Sequence, residues 1–553
     1  MFLVSSLHLY NLLDKSLMTS GSFLMMNIVL VDMGSPRDEL NEPLGIEVLG
    51  ATLRHYFSPL VKVRLEYLQL SGGVLPQPSI LLGSSLIGIS ASLYSLKRTK
   101  AILDLIYSAK YPDGEGPLVL LGNLLGTFAY REILDDYRDI VCVRGEGEDA
   151  IVKIVKTLMD LPSRNAREIK EVLCESDVPN LALMSRGDIK ETTRKVVNLE
   201  KTVKPSRDFL PLIIKRRGIV RVEASRGCPW GHCSFCAISA KYGVAAWRPF
   251  QISRVLEELE ELSRAGARSP YYTDEDFVGS DPKRALEIAD RIISAKEEGR
   301  IDDKLNFYIN LPTSGIVGDK TISAESCVAL LKRLKEAGLR EVFVGIESGA
   351  RSQISRYRKR ETAEKNIEAV SILRELNLEI DVGFIMFDPE MTFRDLKENL
   401  EFIRNTDLID HDARDMKKVR VEPGTKLEEM LKVKKIIGPK FDVNSLSYSY
   451  VFLDPLVQKV FDAYQEWEKG ALDVVYTIQG RCRGEASSEK ERSRLKKFLG
   501  RFRRLDFEFL EACIRIAEES SGDLDEIEAG KKKLQNARSK LLQEVPKYLY
   551  SAQ

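Results

Sequence analysis

The chain has 553 residues, 44% of them hydrophobic and 30% charged, and its 83 basic side chains balance 83 acidic ones. That length exceeds one ordinary core and predicts two to four domains, while the even charge excludes a global electrostatic fit to nucleic acid or another polyanion. The longest apolar windows, such as Leu81 to Leu93, are broken by Gly and Ser and fall short of a membrane span.

The opening MFLVSSLHLYNLL has no basic residue ahead of its apolar part and no clear cleavage site, so it is not read as a signal peptide. Residues 1–26 are taken as an extension. From 27 to 160 short apolar runs alternate with helix-period segments. Strands are predicted at Asn27 to Met33, Leu86 to Ser90, Leu118 to Asn123 and Ile140 to Gly145. Helices are predicted at Gly45 to Phe57, at Leu96 to Tyr111 and from Glu148 onward. Such an alternation predicts a Rossmann-like, doubly wound parallel sheet whose ligands lie beyond the carboxyl ends of its strands. Gly34-Ser35-Pro36, Ser90-Ala91-Ser92, Gly122-Asn123 and Gly145-Glu146-Gly147-Glu148 would line one crevice there.

Residues 161–215 lose the rhythm and read as a connector. A second alternation fills 216–444, with strands at 219–224, 270–274, 306–311, 341–347, 379–387 and 417–422 and helices near 253–266, 282–299, 323–337, 362–377 and 392–405. Thr392 and Asp395 fit a capping box, and Gly338 suits a helix end. Six strand–helix repeats predict a partial (β/α)6 barrel whose reactive face is where the strands finish. Residues 445–553 read as a helical region expected to cover the barrel mouth and select the substrate. Its basic run, Lys490 to Lys497 and Arg501 to Arg504, is read as a solvated helix face over a core of Leu495, Phe498, Leu499 and Phe502. A site for an acidic peptide or nucleic acid is the alternative.

Eight cysteines in so long a chain are not a disulfide scaffold. Cys142, Cys174, Cys327, Cys482 and Cys513 stand singly, as buried small groups do. Cys228, Cys233 and Cys236 cluster in GCPWGHCSFC, directly after the first barrel strand, which favours a reducing compartment and a bound metal. Zinc could take all three with His232. Neighbouring residues 232 and 233 suit one tetrahedral site poorly, however, whereas three thiolates would leave one iron of a four-iron cluster open.

SRGCPWGHCSFC, YYTDEDF (271–277), VFVGIESGA (342–350), DVGFIMFDPEMTFRDL (381–396) and VEPGT (421–425) resemble, in order, the radical S-adenosylmethionine (SAM) enzymes. Upstream, EPLGIEVLGATLRHY, LIGIS, VLLGN and VRGEGEDAIVKIV resemble the cobalamin-binding half of the cobalamin-binding class. VPNLALMSRGDI resembles its connector. The resemblance covers roughly 27–430. It departs in two places: four residues rather than three separate Cys228 from Cys233, and no Asp-x-His-x-x-Gly motif surrounds His8, His55, His232 or His411.

The resemblance implies that Cys228, Cys233 and Cys236 hold a [4Fe-4S] cluster whose open iron binds SAM. Splitting SAM would give a 5′-deoxyadenosyl radical. Phe235 is expected to meet the adenine or merely pack the loop. Asp274 and Glu275 are expected to accept from the SAM amine or to cap, and Glu347 and Ser348 to meet the ribose, unless Glu347 only pairs with Arg351. Gly383 marks close approach to the cofactor or tight barrel packing. Gly88, Ser90, Gly122, Gly145, Glu146, Gly147 and Glu148 are candidates for cobalamin, or are ordinary turn chemistry. The implied activity is methyl transfer to an unactivated carbon through methylcobalamin, with cyclisation or rearrangement as the alternative, and a zinc-stabilised binding protein as a rival of another class. A small-molecule or peptide substrate and an electron donor such as flavodoxin or ferredoxin are implied, in the cytoplasm, with no nucleic-acid partner. A peptide side chain, a lipid and a tetrapyrrole stay open as substrates, with Tyr448, Tyr450, Tyr476 and Gln479 as candidate contacts.

Overall fold

A computed structural model describes residues 25–34, 39–109, 111, 116–161, 166–410, 412–469, 471–485, 488–519 and 524–544. The expected extension up to residue 24, Ser35-Pro36, His8 and His411 lie outside them.

The N-terminal half is built on β1 (Met26–Asp32), β2 (Val61–Tyr67), β3 (Leu86–Ser90), β4 (Leu118–Gly122), β5 (Val141–Val143), β6 (Leu181–Ser185) and β7 (Asp188–Glu191). Their order in the sheet is β2-β1-β3-β4-β5-β6-β7. β1 to β5 are parallel, and β6 and β7 are antiparallel additions. Alternate residues of the central strands feed two separate cores. Val29, Val31, Ile87, Ile89, Val119 and Leu121 face the helix Leu96–Ser108, whereas Ile28, Leu30, Leu86 and Leu120 face the helices Leu44–Phe57 and Glu148–Asp160. Apolar side chains on both faces are what a doubly covered parallel sheet requires. The strand order reverses between β1 and β3, and a crevice opens outside their carboxyl ends.

Two elements depart from expectation. β2, with the sequence VKVRLEY, is a half-buried edge strand whose alternation was read past. The supposed connector supplies β6 and β7, joined through Arg186 and Gly187 at φ +52° and +91°.

The second sheet is formed by β8 (Arg221–Val222), β11 (Tyr271–Tyr272), β12 (Phe307–Pro312), β13 (Leu339–Glu347), β14 (Glu379–Phe387) and β15 (Asp412–Lys418), all parallel and adjacent in chain order. β9 (Ser225–Arg226) and β10 (Arg248–Pro249) pair separately beside it. The five helices expected between the strands are present, and Thr392 and Asp395 close the capping box. β15 begins earlier than the predicted 417–422.

The tail serves both ends of the barrel: beyond the carboxyl end of β14, Leu453 N donates to the Pro389 carbonyl at 2.9 Å and Asp454 accepts from Phe393 N at 2.8 Å. Its helices Leu472–Arg483 and Glu489–Glu519 seal the opposite end, where the strands begin. Arg483, 2% exposed, pairs with Asp381 at 2.7 Å, Glu341 at 3.2 Å and Glu39 at 3.5 Å. Lys496 pairs with Glu379 at 2.6 Å, and Arg492 donates to the Tyr308 hydroxyl. Leu495, Phe498, Leu499 and Phe502 are each 1% exposed, as a solvated basic helix over an apolar stripe predicts. A hairpin of β16 (Ile437–Asp442) and β17 (Ser447–Tyr450) instead bridges the halves: Leu446 packs in the N-terminal core and the Asn444 carbonyl accepts from Tyr94 N at 2.9 Å. Among the described residues no helix is long and apolar enough to cross a membrane.

Candidate functional site

The cysteine loop leaves the carboxyl end of β8 through β9. Gly227, at φ +88°, makes the turn possible, since a Cβ there would strike the Ala246 carbonyl oxygen. The loop is then fixed on both sides. Gly227 N donates to Glu275 Oε2 at 2.8 Å, Ser234 N and Oγ donate to the Tyr357 and Arg356 carbonyls, and Leu427 N donates back to the Ser234 carbonyl. Trp230 Nε1 donates to the Arg358 carbonyl at 3.2 Å, and the Arg360 guanidinium lies 3.6 Å over the Trp230 ring.

All three cysteines are half-buried free thiols. Burial pushes Cys233 up to about 11 and Cys236 up to about 12; Cys233 also feels the charge of Cys228, and Cys236 that of both others. Among the described residues no three His, Cys, Asp or Glu side chains converge on an ion-sized point. His232 is exposed and packs edge-on against Trp230, 5.0 Å between ring centroids.

Of the expected cofactor contacts, Glu347 acts electrostatically on Cys233. It ends β13 at a bulge with φ +66°, a left-handed conformation unusual for a residue with a side chain. Its carboxylate lies 3.7 Å from Lys359 Nζ, which also donates to the Gly345 carbonyl, and both groups act electrostatically on Cys233. Burial raises the Glu347 carboxyl against the pull of Lys359. A Cβ on Gly383 would stand 3.5 Å from both Glu347 carboxylate oxygens and one on Gly345 2.6 Å from Oε1, so bare backbone makes room for this side chain. Phe235 is half-buried, edge-on to Tyr357 at 4.9 Å.

Other expected contacts have internal partners. Ser348 is fully buried and its Oγ lies 2.8 Å from Gln353 Oε1 and 2.9 Å from Asn399 Oδ1. Glu275 braces the loop: besides Gly227 N it accepts from Tyr242 OH at 3.0 Å and Lys241 Nζ at 3.1 Å, and against the effect of burial these partners hold its carboxyl below the usual range. Asp274 is fully buried, accepting from Ala224 N at 3.0 Å and Ser225 Oγ at 2.6 Å.

Burial pushes the Asp274 carboxyl up to about 8 despite those hydrogen bonds. Folding thus favours its protonated form. The stability this contributes is fully present below the unfolded carboxyl's pKa of about 3.9 and is lost as pH rises through about 8. Asp274→Asn, neutral throughout, is expected to flatten the fall in unfolding free energy between about pH 5 and pH 8 in urea titrations; identical slopes in the two proteins would refute the assignment.

The N-terminal candidates gather at a cleft of about 370 Å³ floored by Gly88, Gly122 and Gly147 and walled from the barrel side by Arg226, Lys241 and Tyr242. Gly45 and Gly122 face open space, so side chains there would occupy the cleft. Ser90 Oγ donates to Asp32 Oδ2 at 2.8 Å and accepts from Asn123 Nδ2 at 3.1 Å. Gly145, at φ +81°, is wedged against the Lys241 carbonyl and Arg194. Glu146 is engaged otherwise than expected: it takes Arg226 at 3.0 Å, Arg248 at 2.9 Å and Val197 N at 2.8 Å. Arg226 also holds Glu148 at 2.7 Å and Glu223 at 3.0 Å. This buried guanidinium, beside the cysteine loop, joins the two halves across the cleft. Nothing local in SRGCP signals this role of Arg226, because its partners across the cleft lie 78 and 80 residues away.

A model of the Radical SAM superfamily matches residues 222–403. The chain is 29% identical over 406 residues to a 4'-phospho-dehydrooxetanocin synthase from Priestia megaterium; the match covers 70% of this chain and 51% of the synthase, so the chain spans about half the length of that relative. Its fold is shared with OxsB, a cobalamin-dependent S-adenosylmethionine radical enzyme solved with aqua-cobalamin bound, at a TM-score of 0.77 and 22% identity over 96% of this chain and 81% of that one. It is shared less closely with TsrM, a radical S-adenosylmethionine methyltransferase from Kitasatospora setae solved with cobalamin and a [4Fe-4S] cluster, at 0.58 and 15% identity over 90% of this chain and all of that one.

Proposed function

We propose that this chain, a radical SAM protein by its domain at residues 222–403 and by its fold, is a cobalamin-dependent enzyme acting on an unactivated carbon, with methyl transfer as its reaction. The observation that carries the reading is the cleft itself. It is floored by glycines at the carboxyl ends of a doubly wound sheet and walled by residues flanking a three-cysteine loop at the carboxyl edge of a barrel. The wall of the corrinoid candidate site on the barrel side thus comes from residues on either side of the cysteine loop.

The donor set fits the groups the family implies. Cys228, Cys233 and Cys236 would hold a [4Fe-4S] cluster, the Glu347 region would meet SAM, and the bare backbone at Gly45 and Gly122 leaves room for a broad planar corrin. When bound, the cluster supplies the electron that splits SAM and the corrinoid supplies a methyl carrier. The chain's own part is to position and to keep water out. Glu275, Lys241 and Tyr242 brace the loop at Gly227, Arg226 keeps the loop's flank in register with the N-terminal sheet, and Phe235 with Tyr357 shields the thiols.

Cyclisation or rearrangement without methyl transfer is the second reading, favoured by the sequence match to a 4'-phospho-dehydrooxetanocin synthase. Anaerobic reconstitution with iron, sulfide and hydroxocobalamin, followed by mass spectrometry of SAM products in the presence of candidate substrates, separates the two. S-adenosylhomocysteine appearing together with 5′-deoxyadenosine is expected; 5′-deoxyadenosine alone would favour cyclisation or rearrangement, and colourless protein retaining no iron would end both readings.

A further inference from the structure

Next to the cleft lies a second cavity of about 200 Å³, reached from the barrel interior through Arg221 and Thr273, which line both. Its far wall comes from outside the barrel: Glu39 from the N-terminal half, and Tyr476, Gln479 and Arg483 from the tail helix. Two polar groups here have no partner. The Arg221 backbone is bonded to Glu42 and Arg207, yet among the described residues its half-buried guanidinium meets no acceptor, carboxylate or ring. Gln479 is 2% exposed, and among the described residues its side-chain amide has no hydrogen bond.

Neighbouring groups do not make up the shortfall. The Glu39 carboxylate is drawn to Arg483, the Glu42 carboxylate is taken by Arg207 at 2.8 Å, and the Tyr271 hydroxyl donates to Asn310 Oδ1 at 2.5 Å. A cation and an amide that face the same cavity, with no protein partner among the described residues, can both be engaged by one anionic guest rich in oxygen acceptors. The size and polarity of the space fit a compact polar group and not the hydrocarbon body of a lipid or a tetrapyrrole.

Resting on the cofactor reading above, we infer that this cavity binds the anionic end, a phosphate or a carboxylate, of a small polar substrate, with Arg221 as its counter-ion and Gln479 as a hydrogen-bond partner. The rest of the substrate extends past Thr273 toward the cleft. Tyr476 and Gln479 are thereby assigned to substrate selection, and Tyr448 and Tyr450, on the bridging hairpin, are not.

Binding of inorganic phosphate and of acetate to the reconstituted holoenzyme tests this, by ³¹P line broadening for the first and saturation-transfer NMR for the second. Saturable binding of at least one is expected, weakened at least about tenfold in both Arg221→Met and Gln479→Leu and partly kept in Arg221→Lys. Phosphate alone, acetate alone or both then says which anion the pocket takes. Binding of neither, binding unaffected by the two variants, or loss of bound cobalamin together with anion binding in Arg221→Met would overturn the inference. Iron content and the cobalamin spectrum are read on the same samples. If these fail while anion binding persists with its variant pattern, the cofactor reading falls and the pocket stands.

Discussion

Cys233→Ala is expected to leave the protein unable to retain a full iron complement after anaerobic reconstitution and to lower reductive cleavage of SAM by at least about a thousandfold. The argument is geometric. Its neighbour Ser234 is tied by backbone and side chain to Tyr357, Arg356 and Leu427, so the loop cannot slide to bring another donor forward. The nearest histidine, His232, is turned to solvent and packed on Trp230. Cys228 and Cys236 then remain as two thiolates where three are needed. Cys513→Ala is the control, because that thiol is fully buried in the apolar core; it should lower stability by about 1–2 kcal/mol and leave iron content untouched. Iron and sulfide assays, electron paramagnetic resonance of the reduced protein and chromatography of 5′-deoxyadenosine measure these effects. Full iron and full turnover in Cys233→Ala would remove the cluster from this loop.

The second large effect belongs to Arg226→Met. The side chain is about 9% exposed and serves Glu223 through a bidentate pair, Glu146 and Glu148 through Nη1, and the face of Phe250 at 5.5 Å. Methionine keeps much of the volume and none of the charge. Glu148 and Glu223 lose their cation, and Glu146 keeps only Arg248. Uncompensated buried carboxylates of this kind cost about 3–5 kcal/mol. Because Glu146 and Glu148 stand on the N-terminal half and Glu223 on the barrel, the loss falls on the contact between them. Differential scanning calorimetry should show a lower first transition and a separation of the unfolding into two steps; a single unshifted transition would contradict this role. Arg226→Lys restores charge but not the fork, and should recover part of the loss.

Much of this architecture was legible because it is written in local pattern. The runs IVLV in β1, LIGI in β3 and LVLL in β4 are apolar on both faces, and Thr392 with Asp395 announces its helix through contacts three residues apart. β2 escaped because VKVRLEY carries charges on its outer side, as an edge strand does. The β6–β7 hairpin escaped because a segment rich in Arg and Lys on both flanks reads as solvated chain, although Arg-Gly between two short runs is a turn signal. The cysteine loop was plain from spacing alone. Its supports were not: apart from Glu223, three residues before Arg226, the partners of Ser234, Gly227 and Arg226 lie 48 or more residues distant, and pairing over such separations leaves no periodic trace. The same reason hid the tail's hold on the opposite end of the barrel, since nothing near Arg483 or Lys496 in the sequence points to Glu341, Asp381 or Glu379.

That placement sets the order in which the molecule can mature during synthesis. Strands β13 and β14 leave the ribosome with Glu341 opposite Glu379 and only Arg340 at hand for the latter, and the remaining cations follow later, Arg483 lying 142 residues after Glu341 and Lys496 lying 117 after Glu379. The nascent second half therefore waits, incompletely knit, while the preceding sheet, whose apolar cores take only the Leu446 hairpin from this late part of the chain, is free to settle first.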